Sequence, residues 1–209
     1  MSFFEKYRYE LFFCALLLQI VYPFFALLFA IPQPLLNLIS FTLLVMASFV
    51  MAQRKIPKAL IIIFGIFGVS GSWCNYFAHD EFLVSIFRIY AINFLYFTLI
   101  YVLTRSFIES KVISLQVVIG AMSGYLLIGF LGASTMEMMD FHHPGSFRMD
   151  SPTHFDYYYF SFISLVTVGY GDIVPHSSSA KSLTILVSVV GQLYMAIGIA
   201  SFVGKFMNR

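Results

Sequence analysis

Long apolar runs restrict the fold of this chain more than any other feature. Six of them follow one another, at residues 11–30, 35–52, 59–75, 82–103, 112–132 and 180–203. Each falls within the roughly 17–25 residues that a helix needs to cross a bilayer. Charged residues make up only 11% of the chain, whereas a soluble domain carries about 25%. Since a backbone in lipid must satisfy its own hydrogen bonds, the sequence predicts an all-α membrane protein with six transmembrane helices.

The basic residues predict how these helices are oriented. With the N-terminus in the cytoplasm, Arg148 and Lys181 lie outside and Arg88 lies within the fourth run. The other nine of the twelve Lys and Arg residues then face the cytoplasm, where such residues are normally in excess: Lys6, Arg8, Arg54, Lys55, Lys58, Arg105, Lys111, Lys205 and Arg209. We therefore expect a multi-pass protein of the cell membrane with both termini in the cytoplasm.

The fourth run lacks the charges of a voltage sensor. Such a sensor needs several arginines at three-residue spacing, because each charge moved supplies only ~2.3 kcal/mol per 100 mV. Arg88 stands alone, with Ala91 and Phe94 at the next two positions, and no Asp or Glu occurs in residues 11–78. We expect Arg88 to extend to the outer interface, near Glu81.

One short segment stands out between the last two runs: Thr167-Val168-Gly169-Tyr170-Gly171-Asp172, called the TVGYGD segment below. Residues 155–166 before it are apolar but too short to span a bilayer. The residues after it, Pro175-His176-Ser177-Ser178-Ser179, are typical of a turn and a helix start. Over roughly residues 112–206 this arrangement resembles the tetrameric potassium channels, whose selectivity filter is a TVGYG loop.

The resemblance implies a role for each residue of this segment. The carbonyl oxygens of Thr167, Val168, Gly169 and Tyr170 would replace the hydration shell of K⁺ along the axis, and the Thr167 hydroxyl would add the innermost ring. Gly171, like Gly169, allows backbone angles that would strain a residue with a Cβ. Side chains of the second and fourth residues would pack behind the filter, and Asp172 would follow it.

The resemblance also implies the organisation of the chain. Residues 1–111 would form a charge-poor four-helix domain in the position of a voltage sensor, and residues 112–209 a pore domain. The pore domain would contain an outer helix, a polar segment at 133–155, a re-entrant pore helix from about Asp156, the filter and an inner helix. One filter strand per chain implies a homotetramer, with no cofactor besides bound K⁺.

Three positions near the filter would support it. In many relatives tryptophans brace the filter where this chain has Tyr159 and Phe160. The Tyr159 hydroxyl is expected to bond Asp172, and Ser164 to bond the hydroxyl of Tyr170.

Seven residues would form the cavity and gate. Gly191 occupies the family's hinge position, although close packing explains it equally well. Gly198 follows two turns later, and Ile199 and Val203 would form an apolar constriction that gates by dewetting. The full set is Val166, Gly191, Gln192, Met195, Gly198, Ile199 and Val203, of which Val166 stands where threonine is common.

Several residues outside the pore allow two interpretations. Gly120 and Gly124 have the spacing that lets a second helix approach, but chance explains it nearly as well. Cys14 and Cys74 fall within apolar runs, so buried thiols are expected rather than a disulfide.

The histidines also leave alternatives open. His142 and His143 match no strong metal signature, so we expect a solvated loop. His176 is either a proton-sensing group at the outer mouth or a solvated residue before the inner helix.

The sequence therefore predicts a potassium-selective channel that conducts passively and is not steeply voltage-gated. Its partners would be K⁺, the lipid bilayer and copies of itself, with no nucleic acid. A nonselective cation channel is the nearest alternative, although such channels usually depart from Gly-Tyr-Gly. A potassium-uptake transporter subunit is less favoured, because those carry four degenerate filters in one chain. We expect no enzyme, since no constellation of catalytic polar groups lies at membrane depth.

Overall fold

The computed structural model describes residues 6–52, 55–78, 82–110, 114–149 and 152–207. Within these ranges helices dominate, and two short strands form one ribbon. In chain order the elements are α1 (Arg8–Phe29), α2 (Gln33–Met51), α3 (Lys55–Ala78), α4 (Phe82–Glu109), α5 (Leu115–His142), β1 (Phe147–Arg148), α6 (His154–Leu165), β2 (Val174–Pro175) and α7 (Ser178–Met207).

Six of these helices are long and apolar enough to cross a membrane. They are α1 to α5 and α7, with mean hydropathies between 1.6 and 2.4 over their most apolar windows. α6 has only 12 residues, which is too short to span the hydrocarbon core. The prediction of an all-α membrane protein with six candidate spans is confirmed.

The chain divides into two compact units. Unit 1 comprises Met1–Glu109 with Ser114–Ser123, and unit 2 comprises Ser110–Ile113 with Gly124–Arg209. Unit 1 therefore contains α1 to α4 and the first part of α5. The predicted domain boundary between residues 111 and 112 lies outside the described residues.

Consecutive helices pack on one another in unit 1, with α1 on α2, α2 on α3 and α3 on α4. Their shared core includes Phe12, Leu44 and Leu95, none of which is exposed. α1 ends where Ala30 adopts a left-handed conformation with φ 51° and caps the carbonyls of Ala26 and Leu27. This tight end, together with the prolines that follow, returns the chain at once into α2.

A buried polar contact links α1 to α2. Gln19 is 1% exposed, and its side-chain nitrogen donates to Asn37 Oδ1 at 2.9 Å. Its oxygen accepts a 2.7 Å hydrogen bond from Ser40, which is fully buried. Since apolar burial adds little between helices in lipid, such interhelical hydrogen bonds help to fix the pair.

Arg88 is not at an exposed interface, so its predicted position is wrong. The side chain is 8% exposed on α4 and lies against α3, where a Cβ at Gly71 would come within 2.9 Å of Arg88 Cβ. A glycine on the facing helix lets α3 and α4 approach closely enough to enclose the arginine stem. Glu81, its expected neighbour, lies outside the described residues.

The two cysteines are free, but both are exposed within the chain. The expectation of buried thiols is therefore wrong. Cys14 and Cys74 lie on faces of α1 and α3 that neighbouring helices of this chain leave uncovered. An apolar sequence around a cysteine does not show whether its side chain lies on an uncovered face of the helix or on a face that packs against other helices.

In unit 2, α5 extends ten residues beyond its predicted end at residue 132. The predicted polar segment is helical as far as His142, because one face of the helix continues to be buried. Phe130, Ala133 and Met136 follow at three-residue spacing and are fully buried, which continues a helical apolar stripe. The charged residues Glu137 and Asp140, which suggested a loop, are half-buried on the same helix.

A two-stranded ribbon, not predicted from sequence, joins the residues before α6 to those after the TVGYGD segment. β1 pairs antiparallel with β2, with Phe147 opposite Pro175 and Arg148 opposite Val174. The backbone N–H of His176 extends the link by donating to Ser146 O at 2.8 Å. The ribbon therefore holds together the two ends of the segment that contains α6 and the TVGYGD residues.

Candidate functional site

α6 begins at a well-formed N-terminal cap. Thr153 and Asp156 form a capping box, in which the Asp156 carboxylate accepts from the Thr153 backbone N–H at 2.6 Å and from its hydroxyl at 2.8 Å. Such a box satisfies backbone donors that a helix start leaves open. The helix starts at His154, two residues before the predicted position.

Two polar contacts fasten α6 to α5. The Tyr157 hydroxyl donates to Asp140 Oδ2 at 2.7 Å, and His154 Nδ1 lies 2.8 Å from Glu137 Oε1. Burial raises the pKa of Tyr157, and the hydrogen bond to Asp140 adds to the shift. Asp140 also accepts from the Ser146 backbone N–H at 2.9 Å. Sequence reasoning assigned Asp140 to a solvated loop and missed this junction.

Glycines on α5 allow the short helix to lie against it. A Cβ at Gly129 would come within 2.6 Å of the Phe162 ring, and one at Gly132 within 2.6 Å of Ser161 Oγ. Ser161 is fully buried and donates to Gly129 O at 2.8 Å. At Gly124 the close neighbour is Tyr194 of α7. The close approach of α7, rather than chance, therefore accounts for Gly124. Gly129 and Gly132 allow α6 to approach α5 in the same way.

Side chains from α5 and α7 bind the carbonyls at the C-terminal end of α6. Leu165 O accepts from the Tyr125 hydroxyl and from Gln192 Nε2, each at 3.3 Å. Ser164 O accepts from the Ser188 hydroxyl at 3.2 Å and from the Thr167 N–H at 3.1 Å. The end of α6, with the partial negative charge of its dipole, is thereby fixed in place just before the TVGYGD segment.

The backbone of the TVGYGD segment alternates in handedness. φ is positive at every second residue, with 61° at Thr167, 55° at Gly169 and 81° at Gly171. The N–H groups of Val168 and Gly169 both donate to Ile163 O, at 2.9 and 3.2 Å. Glycine adopts positive φ freely, whereas a β-branched threonine does so only under strain. This accounts for the two glycines and shows a strained Thr167 that the sequence did not predict.

The side chains of the segment are uncovered within one chain. Tyr170 is 73% exposed and Val168 is 51% exposed, so the expected packing behind the backbone is not made by this chain. Among the hydrogen bonds of the described residues, none joins Ser164 to the Tyr170 hydroxyl. The predicted bond between these two residues is therefore not formed within one chain.

The predicted contact between Tyr159 and Asp172 is present. The Tyr159 hydroxyl donates to Asp172 Oδ2 at 2.6 Å. This hydrogen bond lowers the pKa of Asp172 and raises the pKa of Tyr159 to about 12. Phe160 is buried at 4% exposure and instead contacts Phe147 of β1, with ring centroids 5.6 Å apart. Of the two expected aromatic braces, one contacts the TVGYGD segment and the other contacts the ribbon.

We expect Tyr159→Phe to reduce the fraction of time in which the protein conducts, because it releases the Asp172 carboxylate from α6. Single-molecule current recording measures this fraction. Tyr158→Phe is the matched control, since it removes a hydroxyl from the neighbouring residue of the same helix. Because the pKa of Asp172 is lowered, its contact with Tyr159 persists as pH falls and is lost only below the ordinary carboxyl range of about pH 4. Unchanged gating in Tyr159→Phe, or an equal loss in the control, would contradict this role.

The predicted cavity and gate residues lie along α7 and at the end of α6. Most are uncovered within one chain: Gln192 is exposed, and the exposed fractions of the apolar members are 46% for Val166, 43% for Met195, 58% for Ile199 and 53% for Val203.

Gly191 and Gly198 differ sharply in their surroundings. A Cβ at Gly191 would overlap Leu165 Cδ1, whereas no atom of the described chain lies within 4 Å of such a Cβ at Gly198. α7 is helical through both positions. Close packing against Leu165 is therefore sufficient to explain Gly191, in line with one of the two interpretations that the sequence left open.

The histidines of this region are on the surface. His142 is the last residue of α5 and His143 follows it, and both are exposed. Among the described residues, no group of three or more His, Cys, Asp or Glu side chains is placed to hold a metal ion. His176 is exposed beside β2, and its backbone is held by Ser146.

Comparison with known proteins gives one match. Residues 113–208, just under half of the chain, match the family model of an ion channel. No curated protein and no solved structure matches the chain. The matched range contains the whole of α5, the ribbon, α6, the TVGYGD segment and α7.

Six candidate membrane helices together with this match define a multi-pass membrane protein. Residues 113–208 match the model of an ion channel domain, which supports passive ion conduction as the activity.

Proposed function

We propose that this protein is a potassium-selective channel in which the TVGYGD segment is the selectivity filter. The observation that carries the proposal is the alternation of positive φ at Thr167, Gly169 and Gly171. Alternating handedness is what a short backbone needs to turn successive carbonyls toward one side, as the coordination of a dehydrated cation requires. Val168 and Tyr170, the residues between, complete the set of carbonyl donors.

We further propose that four chains assemble around one axis. Non-helical backbone at membrane depth is tolerated only inside protein or beside water. One chain leaves the TVGYGD segment exposed, and only 11% of the most apolar window of α7 is buried within the chain. Copies of the chain would cover Val168 and Tyr170, whose side chains are largely exposed within one chain. Four copies supply the four carbonyls of each ring, since each chain has one filter strand.

The exposed stripe of α7 would then line the water-filled cavity. Met195 and Ile199 lie one and two turns after Gln192 on the same helical face. Gln192 donates its amide nitrogen to Leu165 O, which leaves its amide oxygen as the group that can face a hydrated cation. Val203, one turn beyond Ile199, would complete an apolar constriction. Both chain termini would lie on the cytoplasmic side, as the excess of basic residues there predicts.

Reversal potential measures the proposed selectivity. Purified protein in a planar bilayer between unequal K⁺ and Na⁺ solutions should reverse at the K⁺ equilibrium potential and not respond to Na⁺. Comparable permeability to both ions would favour a nonselective cation channel instead. Active accumulation of K⁺ against its gradient would favour a transporter subunit.

Voltage should change the open probability only shallowly. Arg88 is the one arginine of the fourth apolar run, residues 82–103. A single charge in each chain is too little for steep gating, since each charge supplies ~2.3 kcal/mol per 100 mV. Arg88 is also enclosed between α3 and α4 rather than lying in a water-filled path. Conductance measured against voltage should keep its slope in Arg88→Gln. A steep curve that flattens in this variant would show that Arg88 senses voltage.

A further inference from the structure

Two cavities lie at one end of unit 1, where α1 begins, α2 ends and α3 begins. The first is polar, with a volume of about 230 Å³, and is lined by Arg8, Tyr9, Tyr101, Arg105, Ser106 and Glu109, among others. The second is an open apolar groove of about 600 Å³, within the roughly 300–1,000 Å³ of ordinary ligand sites. Its lining includes Leu11, Leu18, Ala47, Phe49, Val50 and Ile62.

The polar cavity is lined by two arginines, Arg8 and Arg105, and by one carboxylate, Glu109, so one positive charge is not neutralised by the lining residues. Arg105 donates to Glu109 at 2.8 Å and to the Tyr101 hydroxyl at 2.7 Å, so its charge is already paired. The guanidinium of Arg8 lies over the Tyr9 ring at 4.9 Å. Its Nη1 is buried and has no hydrogen-bond partner among the described residues. A buried guanidinium nitrogen without an acceptor is costly, and an anion in the cavity would supply the acceptor.

The apolar groove continues from the polar cavity along the same helices. On α1, Arg8 lines the cavity and Leu11 lines the groove, three residues apart and therefore on one face. On α2, Met51 lines the cavity and Val50 the groove. On α3, Pro57 lines the cavity, and the groove residue Ile61 follows one turn later.

A lysine stands where the two cavities meet. Lys58 follows Pro57 of the polar cavity, and its Nζ lies 4.1 Å from the ring centroid of Phe49, which lines the groove. The groove lining itself is apolar apart from the Cys14 thiol. A ligand that fits both must therefore have an anionic head and a hydrocarbon tail.

We propose that this end of unit 1 binds an anionic phospholipid. Its phosphate would accept hydrogen bonds from Arg8 in the polar cavity, and one acyl chain would lie in the groove. Basic pockets between membrane helices are a known way of binding anionic head groups. The basic residues of this end are those that the sequence places in the cytoplasm, so the lipid would come from the cytoplasmic leaflet.

The proposal is tested on the purified full-length protein, stripped of lipid in detergent. Three probes separate the contributions: dioleoyl phosphatidylglycerol, dioleoyl phosphatidylcholine with the same chains, and glycerol phosphate without chains. Native mass spectrometry counts bound lipid, and the unfolding midpoint reports stabilisation. Phosphatidylglycerol should bind and raise the midpoint, and the other two should do so much less.

Arg8→Gln should weaken phosphatidylglycerol binding roughly tenfold or more, because it removes charge-assisted hydrogen bonds. Arg148→Gln on the exposed part of β1 is the matched control and should leave binding unchanged. Where Arg8→Gln fails to fold, Arg8→Lys tests the same side chain, because it keeps one positive charge but loses the planar set of donors, and it should still weaken binding. Ala47→Phe should fill the groove and lower phosphatidylglycerol binding, whereas Ala59→Phe, an exposed residue of α3 outside the groove, should not.

Each contrary result overturns the proposal in a specific way. Equal binding of phosphatidylcholine removes the role of the anionic head. An equal shift by glycerol phosphate makes the cavity a site for free phosphate esters and not for a lipid. Equal binding by the Arg8 variants and the Arg148→Gln control removes Arg8 from the site. These measurements involve no ion current, so their outcome does not depend on whether the proposed channel function is correct.

Discussion

Gly169→Ala is expected to abolish potassium-selective current. Gly169 has φ 55°, and no atom of the described residues lies within 4 Å of a Cβ placed there. The cost is therefore conformational rather than steric: a residue with a Cβ resists the left-handed region by roughly 1–2 kcal/mol. Four copies would meet at one ring, and relaxation of any one of them would turn its carbonyl away from the ion. Bilayer recording of reversal potential under unequal K⁺ and Na⁺ measures the loss.

Gly145→Ala is the matched control for that variant. Gly145 has φ 84°, and a Cβ there would likewise meet no atom within 4 Å in the part of the chain that the structure describes. The substitution therefore imposes a similar strain between α5 and β1. If strain anywhere in unit 2 disturbed conduction, the two variants would behave alike. We expect Gly145→Ala to conduct selectively. Normal K⁺ selectivity in Gly169→Ala would remove the TVGYGD segment from the proposed filter.

Features set by local sequence were predictable here. The six runs, the tight turn after α1 and the contact of Tyr159 with Asp172 all follow from apolar length, proline placement or a motif of fixed spacing. The positive φ at Gly169 and Gly171 follows from the same motif. A short, strongly constrained segment carries most of its own geometry, so a single chain suffices to recognise it.

Features that depend on tertiary contacts were missed or misassigned. α5 continues past residue 132 because Met136 is buried, and nothing local distinguishes that methionine from one in a loop. Asp140 looks like a loop residue but joins α6 to α5 by accepting from Tyr157. Arg88 was expected at an interface because charge is costly in lipid, yet packing against Gly71 encloses it. In each case the decisive partner is far away in sequence.

The TVGYGD segment also shows the limit of a single chain. Its backbone is ordered by α6 through Ile163 O, but Tyr170 and Val168 are 73% and 51% exposed within one chain. The sequence predicts that these side chains pack behind the filter, but it does not indicate which chain covers them. Their exposure argues for partner subunits more directly than the motif does.

Gly191→Ala is expected to destabilise the protein by about 1–3 kcal/mol per chain, the usual cost of overpacking a filled site. A Cβ at Gly191 would overlap Leu165, which is fully buried at the end of α6 and cannot swing into solvent. Alanine gains about 1 kcal/mol of helix propensity over glycine, which offsets only part of that cost. The unfolding midpoint of the purified protein measures the difference.

Gly198→Ala is the matched control, because it adds the same methyl group to the same helix where no atom of the chain lies within 4 Å. It should be neutral or slightly stabilising. Leu165→Ala removes the side chain that the new methyl group meets, so Gly191→Ala should cost less in that background than alone. If Gly191 served as a hinge instead, Gly191→Ala would alter opening with an unchanged midpoint, and Leu165→Ala would restore nothing. A lower midpoint that is relieved by Leu165→Ala therefore identifies Gly191 as the contact that seats α7 against the end of α6.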